Sequence, residues 1–186
     1  MSGLKLNLGC GEKRLNGYIN VDKYGNPDVK HDLETFPWPW ADNSVEEIKL
    51  IHVLEHLGHK TDVYLKVIQE MYRVCESGAI ILIKVPHFRH DNFFNDPTHV
   101  RVITPSSLGL FSQRINKEVI LRGGSNTPLG LYLGVNLEIT SIKTTFSPNW
   151  YSLHPGGCTD PEIVERDTSI YNNMIEEYQI DIVVIK

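Results

Sequence analysis

The 186-residue chain carries 18 Lys and Arg against 23 Asp and Glu, a formal net charge of −5, with 41% hydrophobic and 22% charged residues. That length supports one hydrophobic core, so a single domain over residues 1–186 is expected, and the acidic balance gives no basic footprint for nucleic acid. Cys10, Cys75 and Cys158 are widely spaced, which argues against a disulfide framework or a cysteine zinc site. With no secretory signal pattern and no apolar run approaching about eighteen residues, a cytoplasmic protein without a membrane partner is expected.

The first predicted strand, 4–8, breaks into Gly9-Cys10-Gly11, and a second, 18–22, ends on Asp22. Glycine allows a sharp turn and lets a ligand approach the main chain, and an acid after such a turn is placed to accept ribose hydroxyl hydrogens. The dinucleotide fingerprint needs a third glycine, but Arg14 holds that slot and the next glycine is Gly17. No Gly-Lys-Ser/Thr follows either, so a nucleoside cofactor without a phosphate cradle fits best. The alternative is a plain glycine turn beside a solvated acid.

Only residues 9–17 separate the first two strands, too few for a full crossover helix, and the connection from Asp22 to Asp28 is shorter still. Reduced helical cover over the N-terminal half of the sheet is therefore predicted. An apolar face around Trp38 and Trp40 would follow, and with it a homodimer or a lid from residues 146–159. Further strands are predicted at 28–32 and 46–52. A helix over 62–75 shows an apolar stripe of Tyr64, Leu65, Ile68, Met71, Tyr72 and Cys75, with Gly78 as its stop. Strand 79–85 is nearly all apolar, as in a sheet covered on both faces. Helices near 104–113 and 160–175 and strands at 135–145 and 178–185 complete the alternation. Segments 86–103 and 146–159 are long, irregular and rich in His, Asp, Asn and aromatics, a pattern that marks functional loops.

Leu4-Lys5-Leu6-Asn7-Leu8-Gly9-Cys10-Gly11 with Asp22 downstream resembles the cofactor loop of class I S-adenosylmethionine (SAM) dependent methyltransferases. Asp32-Leu33, Pro37 to Ile48, His52-Val53-Leu54-Glu55-His56-Leu57 and Glu76 to Ile81 resemble the following blocks of that family, in order, up to about residue 86. The resemblance implies an α/β fold with a Rossmann-like, seven-stranded, mostly parallel sheet and a final antiparallel strand. It implies SAM as cofactor, with Gly9 and Gly11 at the methionine part, Asp22 at the ribose, and Asp32 and Leu33 at the adenine. Ligands in open α/β sheets lie beyond the carboxyl ends of the strands, so the cofactor-binding set is Leu8, Gly9, Cys10, Gly11, Asp22, Lys23, Asp32, Leu33 and His52. Asp32 also reads as a simple cap.

A hydroxyl acceptor needs a general base, and histidine titrates in the right range. The candidate catalytic residues are His56, His87 and His99, with Asp96 orienting His99; for each the alternative is a structural role. Asp96-Pro97-Thr98-His99-x-Arg101 resembles a stretch of methyltransferase-like proteins associated with cell-surface polysaccharide biosynthesis. No Asn/Asp-Pro-Pro-aromatic segment, the mark of amino-directed base methylation, follows the fourth strand. The leading expectation is methyl transfer from SAM to an oxygen of a small molecule or saccharide. A non-catalytic SAM-fold binding or assembly protein comes second. Third is a metal-dependent enzyme drawing ligands from His87, His90, Asp91, Asp96 and His99, although no metal site is assigned.

Overall fold

Strand β1 (Leu4–Leu8) pairs in parallel with β2 (Ile19–Asp22) on one side and β4 (Val45–Ile51) on the other. β2 continues in parallel to β3 (Val29–Lys30), and β4 to β5 (Cys75–Pro86). The last strand, β7 (Ile175–Val184), inserts antiparallel between β5 and β6 (Leu137–Phe146), giving the order β3-β2-β1-β4-β5-β7-β6. The computed structural model describes residues 3–186. Its sheet is the mostly parallel, seven-stranded one with a final antiparallel strand that the resemblance implies. The inner strands seal one face: Leu6, Leu8, Ile48, Leu50, Ile81 and Ile83 are register partners and buried. On the other face Ile80 is exposed and Leu82 and Lys84 are half-buried, so strand 79–85 alternates and is not covered on both faces as its apolar run predicted.

Among the described residues the first α-helix is α1 (Thr61–Val74), so nothing helical separates β1, β2 and β3. Polar bracing takes the place of helices there. Asn7 Nδ2 donates to Asn20 Oδ1 at 2.9 Å, and the Asp28 carboxylate accepts from both the backbone N–H and the side-chain amide of Asn20. Those bonds from Asn20 hold the Asp28 carboxyl below its usual range. Arg14 pairs with Asp28 and donates to the Asn26 carbonyl at 2.7 Å. The residue in the missing-glycine slot thus ties the β1–β2 connection to the turn before β3.

The expected exposed face around Trp38 and Trp40 does not exist. Both indoles are buried, edge to face with one another. Glu70 and Arg73 of α1 clamp the segment by its backbone: Glu70 Oε2 accepts from Trp38 N–H at 2.6 Å, while Arg73 donates to the carbonyls of Trp38 and Trp40. The argument for a homodimer from that face falls away with it.

α1 buries Tyr64, Val67, Ile68, Met71 and Val74. Leu65 and Tyr72 sit only partly buried at the edge of this stripe. Gly78 does not stop the helix: α1 ends at Val74, Cys75 opens β5, and Gly78 lies inside that strand at φ +86°. The helix predicted over 104–113 is two short ones after the intervening α2 (Asp91–Phe94), namely α3 (Pro105–Gly109), begun by a Thr104 capping box, and α4 (Gln113–Leu121). Ser112 makes the break, because its hydroxyl caps α4 by accepting from Ile115 N–H at 3.0 Å. α5 (Leu129–Leu133) follows, then α6 (Pro148–Leu153) within the expected loop, and α7 (Pro161–Ile170), which stops short of 175 because Ile175 joins β7. Trp150 of α6 stacks on Phe146, holding that segment at the end of β6. No helix among the described residues is long and apolar enough to cross a membrane.

Candidate active site

The strand order reverses between β1 and β4, so the connections that leave their carboxyl ends run in opposite directions along the sheet, to β2 and to β5. A cleft of about 350 Å³ occupies this point. Gly9 supplies the β1 end, Asp22, Lys23 and Tyr24 the β2 end, His31, Asp32 and Leu33 the β3 end, and His52, Val53, His56 and Leu57 the β4 end, with Thr98 above. Its floor is apolar and its rim polar, the usual make-up of a small-molecule site.

The Asp22 carboxylate accepts Gly11 N–H at 2.9 Å through one oxygen and Tyr24 N–H at 2.8 Å through the other. Each oxygen keeps a lone pair for a ligand hydroxyl. Asp32 does two things at once: it lines the cleft, and its side chain accepts Glu34 N–H at 3.0 Å. The Lys23 ammonium stands 3.8 Å from it. Leu33 is buried with its carbonyl bonded by the Trp38 indole, so the clamped tryptophan segment sets the apolar wall.

Three members of the expected cofactor set lie outside this lining. Leu8 is fully buried core, the side chain of Cys10 is buried and its thiol pushed up chiefly by that burial, and Gly11 contributes through its N–H to Asp22. Gly9 is needed for a different reason than room for a ligand. Its φ is +64°, and a Cβ there would meet the Val53 side chain at 2.6 Å, so the close contact is between the β1 and β4 exits.

His52 stands at φ +55° directly after β4 and lines both this cleft and a second cavity of about 220 Å³, whose other walls are Pro86, Asn92, His99, Glu176 and Glu177. Its Nδ1 is 3.5 Å from Glu55 and its Nε2 3.2 Å from Glu177, and Glu55 is the main cause that raises it above the ordinary imidazole value. His56 donates from Nδ1 to Thr98 Oγ1 at 2.9 Å, since the single Thr98 hydroxyl proton goes to Asp96 Oδ1 at 2.6 Å. Asp96 therefore orients His56, through Thr98. It does not orient His99, whose Nε2 is 3.9 Å from Asp96 and whose Nδ1–H donates to the Phe93 carbonyl at 2.8 Å.

His87 lies apart from these groups. It is buried between Phe88 and Tyr178, its Nδ1 accepts Arg89 N–H, and burial, with Arg89 and His90 nearby, lowers its pKa to about 4. The unfolded chain protonates this imidazole near its usual value of about 6.5. Below that pH the unfolded state binds a proton that the folded state refuses, so stability falls as pH drops from about 6.5 toward 4. A loss of about 2 kcal/mol between pH 7 and pH 5 is expected for this residue. Urea unfolding of wild type and His87→Gln at both pH values checks it: the loss should shrink by that amount in the variant, and equal slopes would contradict it.

Glu177, Tyr24 and His31 were not singled out by sequence. Glu177 reaches His52 only because antiparallel β7 lies beside β5, a pairing no local pattern signals. His31 Nε2 is buried in the cleft without a hydrogen-bond partner.

No protein-family model and no curated protein matches the chain. Solved structures do. A SAM-dependent methyltransferase from Archaeoglobus fulgidus superimposes with a TM-score of 0.59 at 18% identity, over 97% of this chain and 86% of that one. This is a class I methyltransferase-like fold. The same architecture recurs in a Thermotoga maritima protein described as a possible histamine N-methyltransferase, with a TM-score of 0.53 at 12% identity over 100% of this chain and 83% of that one. It recurs again in the Burkholderia thailandensis 1,6-didemethyltoxoflavin-N1-methyltransferase, solved with S-adenosylhomocysteine, at 0.54 and 10% over 98% and 71%.

Proposed function

We propose that the chain is a SAM-dependent methyltransferase acting on an oxygen of a small molecule or saccharide. The observation that carries this reading is the meeting of two cavities at one imidazole: the switch-point cleft and the smaller Glu177-lined cavity share His52. The cleft fits a nucleoside cofactor. Asp22 has free lone pairs at its wall, Leu33, Val53 and Leu57 offer an apolar surface, and the unpartnered His31 Nε2 awaits a polar group. Asp22 would hold the ribose and Asp32 and Leu33 the adenine side, while bound SAM supplies an electrophilic methyl on sulfur.

The chain's own task is then positioning the acceptor and taking its proton. His52, shared by both cavities, is assigned the proton, with Glu177 and Glu55 beside its two nitrogens. His56, held by Thr98 and Asp96, is the nearest alternative base, and His99 closes the acceptor cavity. Two of the similar structures carry N-methyltransferase descriptions, so the fold leaves the acceptor atom open. The oxygen assignment rests on the histidine wall and on the absence of the amino-directed motif. The association with polysaccharide synthesis rests only on the Asp96 to Arg101 resemblance.

Calorimetric titration with SAM and S-adenosylhomocysteine tests the cofactor site. Asp22→Asn keeps one acceptor oxygen, whereas Asp22→Ala removes both and should raise the dissociation constant about tenfold or more. Unchanged affinity in a folded Asp22→Ala protein would remove the ribose assignment. Labelled SAM with a panel of hydroxylated metabolites and saccharides then tests turnover, and saturable binding without transfer to any acceptor would favour the non-catalytic binder.

A further inference from the structure

We propose that Glu55, His56 and His99 form a binding site for a divalent first-row transition ion of the zinc class. One ligand atom from each of the three lies within 4.8 Å of the others. Two chain segments bring them together. Glu55 and His56 belong to a single 3₁₀ turn after β4, and the Glu55 carbonyl accepts the N–H groups of Val100 and Arg101 at 2.9 and 3.1 Å, which pins the His99 segment over that turn.

The decisive observation is the Glu55 side chain. It is only 1% exposed, and both of its oxygens are buried without a hydrogen-bond partner. The imidazole nitrogens facing it stand at 3.5 Å for His52 Nδ1 and 4.0 Å for His99 Nε2. A buried carboxylate that accepts no hydrogen bond is costly, and a bound cation offsets that cost.

The two imidazoles are prepared as ligands are. Each is oriented through Nδ1, His99 by the Phe93 carbonyl and His56 by the Thr98 hydroxyl backed by Asp96. This is the outer-shell arrangement that sets the tautomer and leaves Nε2 unprotonated for a metal. Two nitrogens and one carboxylate favour zinc, manganese or iron(II) over magnesium or calcium, which prefer all-oxygen sets. Three protein ligands leave at least one coordination position open, the count found in catalytic rather than structural sites. The ion would lie between the cavities, since His56 lines one and His99 the other. The site differs from the metal alternative read from sequence: of His87, His90, Asp91, Asp96 and His99, only His99 is a ligand, while Asp96 acts behind Thr98.

The test is titration of chelator-treated protein with Co²⁺, followed by its visible absorption, with Zn²⁺ as competitor and melting temperature read alongside. The expected result is one saturable equivalent per chain and a higher melting temperature with Zn²⁺. Thr98→Val, at an exposed position outside the ligand set, should weaken Co²⁺ about ten- to a hundredfold. Glu55→Gln should lose saturable binding yet melt, without metal, no lower than wild type, because it deletes a buried charge that accepts no hydrogen bond. His59→Gln, an exposed neighbour, should bind as wild type does. Absence of stoichiometric Co²⁺ binding by wild type would overturn the proposal, as would wild-type affinity in a folded Glu55→Gln protein. SAM calorimetry on the same metal-free sample reads the cofactor site separately, so failure of one reading is distinguishable from failure of the other.

Discussion

His52→Asn should lower methyl-transfer turnover by about a hundred- to ten-thousand-fold, the usual loss when a general base is removed. Asparagine suits the position because it tolerates the left-handed backbone that His52 adopts at φ +55°. The variant therefore deletes the imidazole without straining the β4 exit. SAM affinity should stay close to wild type, since Asp22, Asp32 and Leu33 are untouched on the opposite side of the cleft. Three measurements on one sample separate the outcomes: melting temperature, SAM calorimetry, and transfer of label to whichever acceptor the panel identifies. Full turnover in a folded His52→Asn protein would exclude His52 as base and pass the role to His56. A fall in SAM affinity equal to the fall in turnover would make His52 a cofactor contact, its place in the sequence-derived binding set.

The largest stability effect is expected from Glu70→Ala. Glu70 accepts from Arg73 Nε and Nη2 at 3.0 and 2.7 Å and from Trp38 N–H at 2.6 Å, and it is itself buried. Truncation leaves a partly buried guanidinium and a buried N–H without their acceptor. Loss of one partner of a buried pair costs about 3–5 kcal/mol. Arg73 keeps some solvent and its bond to Asp42, so the lower end, about 3 kcal/mol, applies. Urea unfolding measures it. A loss below about 1 kcal/mol would mean that the pair behaves like an exposed one. Because the Trp38 indole bonds the Leu33 carbonyl, the same substitution should also weaken SAM binding in the folded fraction, whereas Arg73→Lys, which keeps a charge, should do less of both.

Strand positions were legible wherever glycine or a short apolar run bounded them. Leu4–Leu8 before Gly9, and the β-branched run into Val184, appear in the sheet within a residue or two at their well-marked ends. The α1 helix was legible from its period, but its exact stripe was not. Val67 and Val74 displace Leu65 and Tyr72 from the centre because the sheet they pack on is fixed elsewhere. Short helices such as α4 and α6 carry too few turns for a period to register, and α4 owes its start to a single serine hydroxyl.

What the sequence by itself determined is the sheet's first half and the place of a ligand beside it. The glycine turn, Asp22 and the nine-residue connection forbid a first crossover helix and put polar groups at the strand ends. What only the tertiary structure decided is the chemistry of the facing wall. Asp96 and His99 are three residues apart, yet Asp96 serves His56 through Thr98, since the loop folds back onto the β4 exit. Glu177 stands beside His52 through an antiparallel strand that joins the sheet late in the chain. Burial of Glu55 is likewise a sum over segments remote in sequence. Local spacing governs turns and periods, whereas which side chains meet across a cleft depends on strand order and on the non-local contacts that close it.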